Sequence, residues 1–341
     1  KKMIVVNSQP YEKLDILGRG GSSKVYRVRH AQSRKIYALK KVELDEFDES
    51  SLDGFKREIE HLQKLKEHPR VVALQDHAIQ DGALHLVMEC GEIDLSSVLQ
   101  HRMAALPQLD VQFVRFHALE LFRCVQAVHK AGIVHSDLKP ANFLFVKGLM
   151  KIIDFGIANT VPDHTVNIYR ELQIGTPNYM APETLIEVGQ ASFPAASEPA
   201  STWRVGKPAD VWSCGCILYQ MVYGRPPYAA YQGQSRLKAI MDPHTKIVYA
   251  ERGLGGVKVP HSAIILMQGC LDRVPSSRWS VEECLELDFL APKVVSRSYV
   301  RDLVCSAINF GLDNKERRIL KEEYDEMIET VVAQIQALNF A

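Results

Sequence analysis

Three things are missing from this chain of 341 residues, and each absence excludes a class of function. It has no net charge, because 41 Lys and Arg balance 41 Asp and Glu. Nothing global therefore favours nucleic acid or an anionic membrane surface, and neither is expected as a direct partner. It has no CxxC pair. Its seven cysteines are scattered at positions 90, 124, 214, 216, 270, 284 and 305. An odd count without framework spacing reads as reduced thiols in a cytosolic or nuclear protein. It has no apolar run near the ~18 residues that span a bilayer, and no signal-peptide pattern. The start at Lys1-Lys2-Met3 suggests a fragment, so that any targeting segment would lie outside it.

What is present is ordinary for a globular protein, with 46% hydrophobic and 24% charged residues. The length implies two packed units or one large domain. Residues 11–43 alternate apolar and polar around a glycine cluster at 18–21, the pattern of strands joined by a tight turn. Leu52, Phe55, Ile59, Leu62 and Leu65 then fall at helical spacing, and strand-like runs return at 71–75 and 83–89. From about residue 94 helical periodicity dominates, as in Phe113, Phe116, Leu119, Phe122, Val125 and Val128. A loop-rich stretch covers 133–183. Residues 187–206 are small, Pro- and Ser-bearing, and read as a flexible surface insertion. The tail from 293 is helical, with a capping box at Asp313 and Glu316 and a stripe through Leu320, Tyr324, Met327, Val331, Ile335 and Leu338. That stripe needs cover. Docking within the chain is expected over a partner helix, because the stripe is short for a stable coiled coil. No internal repeat is evident.

The chemistry sits in four short segments. Leu17-Gly18-Arg19-Gly20-Gly21-Ser22-Ser23-Lys24-Val25-Tyr26 is the first. Glycines let a backbone approach phosphates and turn without a Cβ clash; read alone, the same residues also suit a plain hairpin. Lys40, in Tyr37-Ala38-Leu39-Lys40, is the second. An ammonium on a strand beside that hairpin can neutralise phosphate oxygens, although a lone lysine is usually a surface residue. Glu58 adds weight, since it lies between Phe55 and Leu62 on the apolar side of the helix, where a carboxylate is costly unless paired. Lys40 is a plausible partner; otherwise Glu58 edges the stripe and stays wet.

The third segment runs Ile133-Val134-His135-Ser136-Asp137-Leu138-Lys139-Pro140-Ala141-Asn142. Asp137 can accept the proton of a substrate hydroxyl, Lys139 can steady a transferring phosphate, and Asn142 can hold a magnesium ion. The fourth, Lys151-Ile152-Ile153-Asp154-Phe155-Gly156, delivers Asp154 on an apolar strand. Magnesium prefers hard oxygen ligands, which Asp154, Asn142 and phosphates supply. Either motif alone could arise by chance; both in order, with the upstream Lys40 and Glu58, leave little room for coincidence.

This set resembles the eukaryotic protein kinases over residues 11–292 and matches their motif template. The third glycine of G-x-G-x-x-G-x-V is Ser23 here. The resemblance implies an α+β bilobal fold. A small antiparallel-sheet lobe with one helix and a short N-terminal extension would cover 1–89. The hinge and a larger, mainly helical lobe would cover 90–292, and a helical extension 293–341. It also implies ATP and Mg2+ as cofactors and protein substrates. By the same resemblance Leu17, Gly18, Gly20, Gly21, Val25, Ala38, Lys40 and Leu144 surround the nucleotide. Met88 is the gatekeeper, and Glu89, Cys90 and Gly91 form the hinge whose backbone at Glu89 and Cys90 meets adenine. Thr176, in Gly175-Thr176-Pro177-Asn178-Tyr179-Met180-Ala181-Pro182-Glu183, shapes the substrate groove. Glu183 is expected to pair with Arg278, and Asp210 to brace the catalytic loop.

More finely, GGSSKVY, VMECGEIDL, GIVHSDLKPANF and DFGIAN resemble the monopolar-spindle (TTK-type) dual-specificity kinases of the spindle-assembly checkpoint. That resemblance implies kinetochore and checkpoint proteins as partners. It also implies a nuclear and cytoplasmic location, at kinetochores and the spindle in mitosis. Ser136 stands where common kinases carry arginine before the base. The insertion at 187–206 and the tail depart from the usual animal members. Thr160, Thr165, Tyr169 and Thr176 are candidate phosphosites, filled in trans through a transient homodimer and read by groups such as Arg170, since Ser136 removes one usual arginine. Two rivals remain open: a pseudokinase or nucleotide-binding scaffold, against which Lys40, Asp137 and Asp154 all speak, and a small-molecule kinase, against which the segment around Thr176 speaks.

Overall fold

The computed structural model describes residues 2–20, 23–44, 56, 59–155, 176–185 and 206–291, and positions 301, 304, 305, 308, 325, 328 and 329. The insertion as far as 205, the Asp313–Glu316 capping box and the tail stripe lie outside the described residues. The chain divides into two compact units, Lys1–Leu290 and Ala291–Ala341. In the second, Val304, Ile308 and Ile328 are helical and buried.

The first unit begins with β1 (Met3–Val6), β2 (Gln9–Arg19), β3 (Ser23–His30) and β4 (Ile36–Glu43), followed by α1, described over residues 56 and 59–64. Then come β5 (Leu74–Gln80) and β6 (Ala83–Glu89). The six strands pair antiparallel in the order β1-β2-β3-β4-β6-β5. The sheet curls until its two rims meet: Asn7 donates its side-chain amide to Asp76 (2.7 Å) and to the His77 carbonyl (2.8 Å), and Gln80 reaches the Val5 carbonyl. Both faces are covered, which explains why β6 is buried at five consecutive positions instead of alternating. Val6, Tyr11, Tyr26, Val28, Leu39 and Val87 pack on one face. Val42, Leu84 and Leu86 pack on the other with Ile59, Leu62 and Leu65 of α1.

Register places the nucleotide candidates. Val25 pairs with Lys40, Ala38 with Met88, and Lys40 with Leu86. Because side chains alternate with period two, Val25, Ala38, Lys40 and Met88 share one face of the sheet. The strand expected at 71–75 starts later, at Leu74, and runs on to Gln80; Val71 makes only a single parallel bridge, to Ile152.

The larger lobe opens with β7 (Ile93–Asp94), α2 (Leu95–Ala105) and α3 (Val111–Lys130). Asp94 and Asp110 are their N-caps, each accepting backbone N–H bonds that the first turn cannot satisfy internally. The apolar stripe of α3 is corrected here. Val114, Ala118, Leu121, Phe122, Val125 and Val128 are buried, whereas Phe116 is half exposed. Successive steps of three drift by about 60° per step around a 3.6-residue helix, so a 113–116–119 series slides off the core face.

The hairpin β8 (Phe143–Val146) and β9 (Leu149–Ile152) pairs with β7. Helix α4 (Lys207–Tyr223) follows, with α5 (Gly233–Met241), α6 (His261–Cys270) and α7 (Val281–Glu286) around it. Most of α4 from Ala209 to Leu218 is buried on all sides, Trp212 included, as befits a central helix. It ends at Gly224 with φ 85°, where a Cβ would come within 2.8 Å of Leu254. The seven cysteines are free thiols. Among the described residues no helix is long and apolar enough to cross a membrane.

Candidate active site

The segment between α3 and β8 carries the reactive groups, and its shape is imposed from below. Asp210 of α4 is buried, and its carboxylate accepts from the Ser136 N–H, the His135 N–H and His129 Nε2, each at 2.8 Å. A buried carboxylate with three donors is satisfied, and it clamps the loop just before Asp137. That clamp holds Ser136 at φ 67°, in the left-handed region that non-glycine residues seldom occupy. Asp137 follows, with its carboxylate 2.8 Å from the Lys139 ammonium.

Asn142 donates its side-chain amide to the Asp137 carbonyl (2.6 Å) and accepts the Ile153 N–H on its own backbone carbonyl (2.9 Å). His135 Nε2 meets the Ile153 carbonyl at 2.9 Å. These bonds fix the end of β9, so that Asp154, at φ 54°, turns into the cleft. Its carboxylate meets the Lys40 ammonium at 2.5 Å. Enclosure alone would raise the Asp154 pKa, but the Lys40 ammonium outweighs it and holds the carboxyl below the usual carboxylate range, with help from His135 and Lys139. Phe155 is buried beneath, its ring 5.3 Å from that of His135 and 6.2 Å from that of His61 in α1.

Lys40 is thus bonded to Asp154, and Asn142 and Lys139 to Asp137, and the Ile153 N–H on the Asn142 carbonyl ties the two groups together, with residues drawn from both lobes. Metal chemistry fits the donor set. Asp154 spends one oxygen on Lys40, and Asn142 spends its amide nitrogen on Asp137. A carboxylate oxygen and an amide oxygen are left as hard donors of the kind a small divalent cation takes alongside phosphates. Among the described residues no cluster of three His, Cys, Asp or Glu could hold a metal unaided.

The protein kinase domain family matches residues 11–290. The chain belongs to the protein kinase family. It is 52% identical over 332 residues to the serine/threonine-protein kinase MPS1 of Saccharomyces cerevisiae, covering 97% of this chain and 43% of that protein. It is 38% identical to the serine/threonine-protein kinase mph1 of Schizosaccharomyces pombe, over 85% of this chain and 44% of that one. It is 37% identical to the mouse dual specificity protein kinase TTK, over 83% and 31%. The chain thus spans less than half the length of these relatives.

The remaining parts of this kinase site follow from local geometry. At the tip of the glycine hairpin the Gly20 N–H bonds the Ser23 carbonyl (2.8 Å), and a Cβ on Gly20 would lie 2.7 Å from Ser23 Oγ. Gly20 thus makes room for the serine that replaces the third glycine. Gly18 pairs with Val25, and Leu17 is partly exposed above the cleft. Past Met88, the Glu89 N–H is spent on the Ala73 carbonyl (3.0 Å), so only the carbonyl of Glu89 remains for an adenine edge. The Glu89 side chain pairs with Lys151 at 2.7 Å. Burial pushes the Cys90 thiol pKa up. At Gly91 a Cβ would fall 2.4 Å from Leu144 Cγ and 2.6 Å from the Phe145 carbonyl, so the hinge can pass β8 only as glycine.

Below the site, Arg278 is wholly enclosed. It forks onto both oxygens of Glu183 (2.7 and 3.1 Å) and donates to the Pro208 and Asp272 carbonyls. Thr176 opens the short turn Thr176–Tyr179, and its side chain is not among those described. Gly21, Glu58, Thr160, Thr165, Tyr169 and Arg170 lie outside the described residues.

Sequence reasoning missed His129 and the donor role of His135, which look like ordinary helix and loop histidines until Asp210 and Ile153 are seen beside them. It also missed the Glu89–Lys151 pair, which no spacing rule links across 62 residues.

Proposed function

We propose that this domain transfers the γ-phosphoryl group of ATP to Ser and Thr hydroxyls, and occasionally Tyr, of protein substrates. The observation that carries the reading is the convergence of Lys40, Asp154, Asn142, Asp137 and Lys139, with Lys40 bonded to Asp154 and both Asn142 and Lys139 bonded to Asp137. Val25, Ala38 and Leu144 enclose the adenine, Met88 limits the depth of its pocket, and the hinge carbonyl of Glu89 accepts from its amino edge. Lys40 lies against the phosphates. Asn142 and Asp154 would hold Mg2+, which would supply positive charge against the phosphates.

Asp137 takes the hydroxyl proton as the substrate oxygen bonds to the γ-phosphorus. The bond from that phosphorus to the β–γ bridging oxygen breaks, and ADP leaves with the electron pair. Lys139 steadies charge on the transferring group. The chemistry is positioning plus electrostatics, with no covalent enzyme intermediate.

The similarity to proteins named MPS1 and TTK supports a place in the mitotic spindle checkpoint, at kinetochores, among kinetochore and checkpoint proteins, in nucleus and cytoplasm. Autophosphorylation in trans at Thr160, Thr165, Tyr169 or Thr176 belongs to the same proposal. A degenerate peptide library tests the activity with Asp154→Ala as control. Library phosphorylation by the wild type and none by a folded Asp154→Ala protein is expected. Equal rates from the two proteins would overturn the assignment.

A further inference from the structure

A groove of about 400 Å3 lies in the larger lobe, where α4 gives way to α5 and the segment 246–259 passes beneath it. Tyr219, Tyr223, Pro227 and Leu254 wall it, with Arg225 and Arg252. None of these residues belongs to the phosphoryl-transfer set. Both tyrosine hydroxyls are spent on backbone, Tyr219 on the Val248 carbonyl (2.9 Å) and Tyr223 on the Ala250 carbonyl (2.8 Å), so what they offer the groove is ring surface.

The charge here is one-sided. Arg225 and Arg252 are exposed, and neither forms an ion pair with any described carboxylate; Glu251, next in sequence to Arg252, pairs with neither. An antiparallel bridge sets Arg252 directly opposite Lys258, which is also exposed and without an ion pair among the described residues. Like charges facing each other across a bridge destabilise it. The fold nevertheless fixes this pair, through a turn at Gly255 and Gly256 (φ 64° and 73°) and a bond from Arg252 Nη1 to the Gly256 carbonyl (2.8 Å). Arg225 alone has a local explanation, since a cation suits the C-terminal end of α4. That explanation does not reach Arg252 and Lys258.

We infer that this groove docks a segment of the protein substrate rich in Asp and Glu, remote from the phosphorylated residue. The cations are spread over two chain segments along a wall of tyrosine and proline. That layout suits successive carboxylates on an extended peptide better than one phosphate, which calls for converging donors. The inference rests on the reading that protein segments are the substrate.

The test uses acceptor peptides that share one phosphorylatable sequence, joined through flexible linkers of graded length to tails of Asp/Glu, Asn/Gln, Lys or phosphoserine. Steady-state rates are measured for the whole chain and for Arg225→Glu and Lys258→Glu. With the wild type, the Asp/Glu tail lowers KM about three- to tenfold against Asn/Gln, with kcat unchanged. Both variants lose most of that advantage. Lys258→Glu also melts at the same temperature as the wild type or higher, because it places a carboxylate opposite Arg252. Equal turnover of the Asn/Gln peptide by all three proteins shows that the kinase reading stands apart from the docking. Wild-type KM values that ignore the tail overturn the inference, as do variants that keep the acidic preference or a response confined to phosphoserine.

Discussion

Replacing Asp210 by Asn changes one oxygen into an NH2 group and nothing else in size. The native carboxylate takes Ser136 N–H on one oxygen, and His135 N–H and His129 Nε2 on the other. Asparagine has a single acceptor, so in either flip its NH2 faces at least one backbone N–H. A buried donor left without an acceptor costs about 1–3 kcal/mol. Taking about 2 kcal/mol, the expected fall in melting temperature is roughly 3 °C for a unit that spans Lys1–Leu290. The catalytic consequence is larger than the stability loss. Ser136 is held at φ 67° by this clamp, and once freed it relaxes towards a commoner conformation and carries Asp137 with it. A displacement of about 1 Å at the proton acceptor can cost on the order of a hundredfold in rate. Asp210 touches neither Lys40 nor Asp154, so the KM for ATP should stay within about twofold of wild type. The assay is steady-state kinetics well below the melting temperature, with thermal unfolding measured on the same preparation. A folded Asp210→Asn protein with wild-type kcat would refute the claim that this carboxylate shapes the catalytic loop.

Gly91→Ala should force Leu144 aside, because the new Cβ would overlap it at 2.4 Å; an ATP titration should show KM raised several-fold with kcat largely kept. Gly224→Ala meets both a left-handed φ and a 2.8 Å approach to Leu254, and a loss of about 1–3 kcal/mol by urea unfolding is expected, with specific activity of the folded fraction unchanged. Arg278→Lys removes the fork onto Glu183 and leaves enclosed carbonyls short of donors; a loss of about 3–5 kcal/mol should appear as poor soluble yield and a sharply lower melting temperature. The depressed pKa of Asp154 makes its stabilisation complete above the ordinary carboxylate value near 4, and lost as pH falls through the lower folded value. Urea midpoints of wild type and Asp154→Asn should therefore converge below pH about 4; parallel curves down to pH 3 would contradict the Lys40–Asp154 pairing.

Much of the site could be read from sequence because its chemistry is local. Asp137, Lys139 and Asn142 fall within six residues, and Asp154 follows a short apolar run that reads as a strand. Lys40 was legible from its place beside the glycine hairpin. The Asp154–Lys40 bond spans 114 positions, and no periodicity announces it. The Asp210 brace is expected from the family resemblance alone, because its partners are two backbone N–H groups and a helix histidine, none of which leaves a compositional mark. In α3 the large apolar residues at steps of three do not mark the core face, which is carried by Val114, Ala118 and Leu121. The onset of β5 was misplaced because Val71 and Val72 are as apolar as strand residues, yet they bury without joining the ladder.

The seam that joins β1 to β5 has a further effect. Open sheets recruit partners by letting a foreign strand pair along an unfilled rim. Here Asn7 and Gln80 already occupy the rims with amide groups of their own. A visiting strand would have to displace those amides before it could form its first backbone bond. The small lobe is thereby steered away from strand exchange along these two rims.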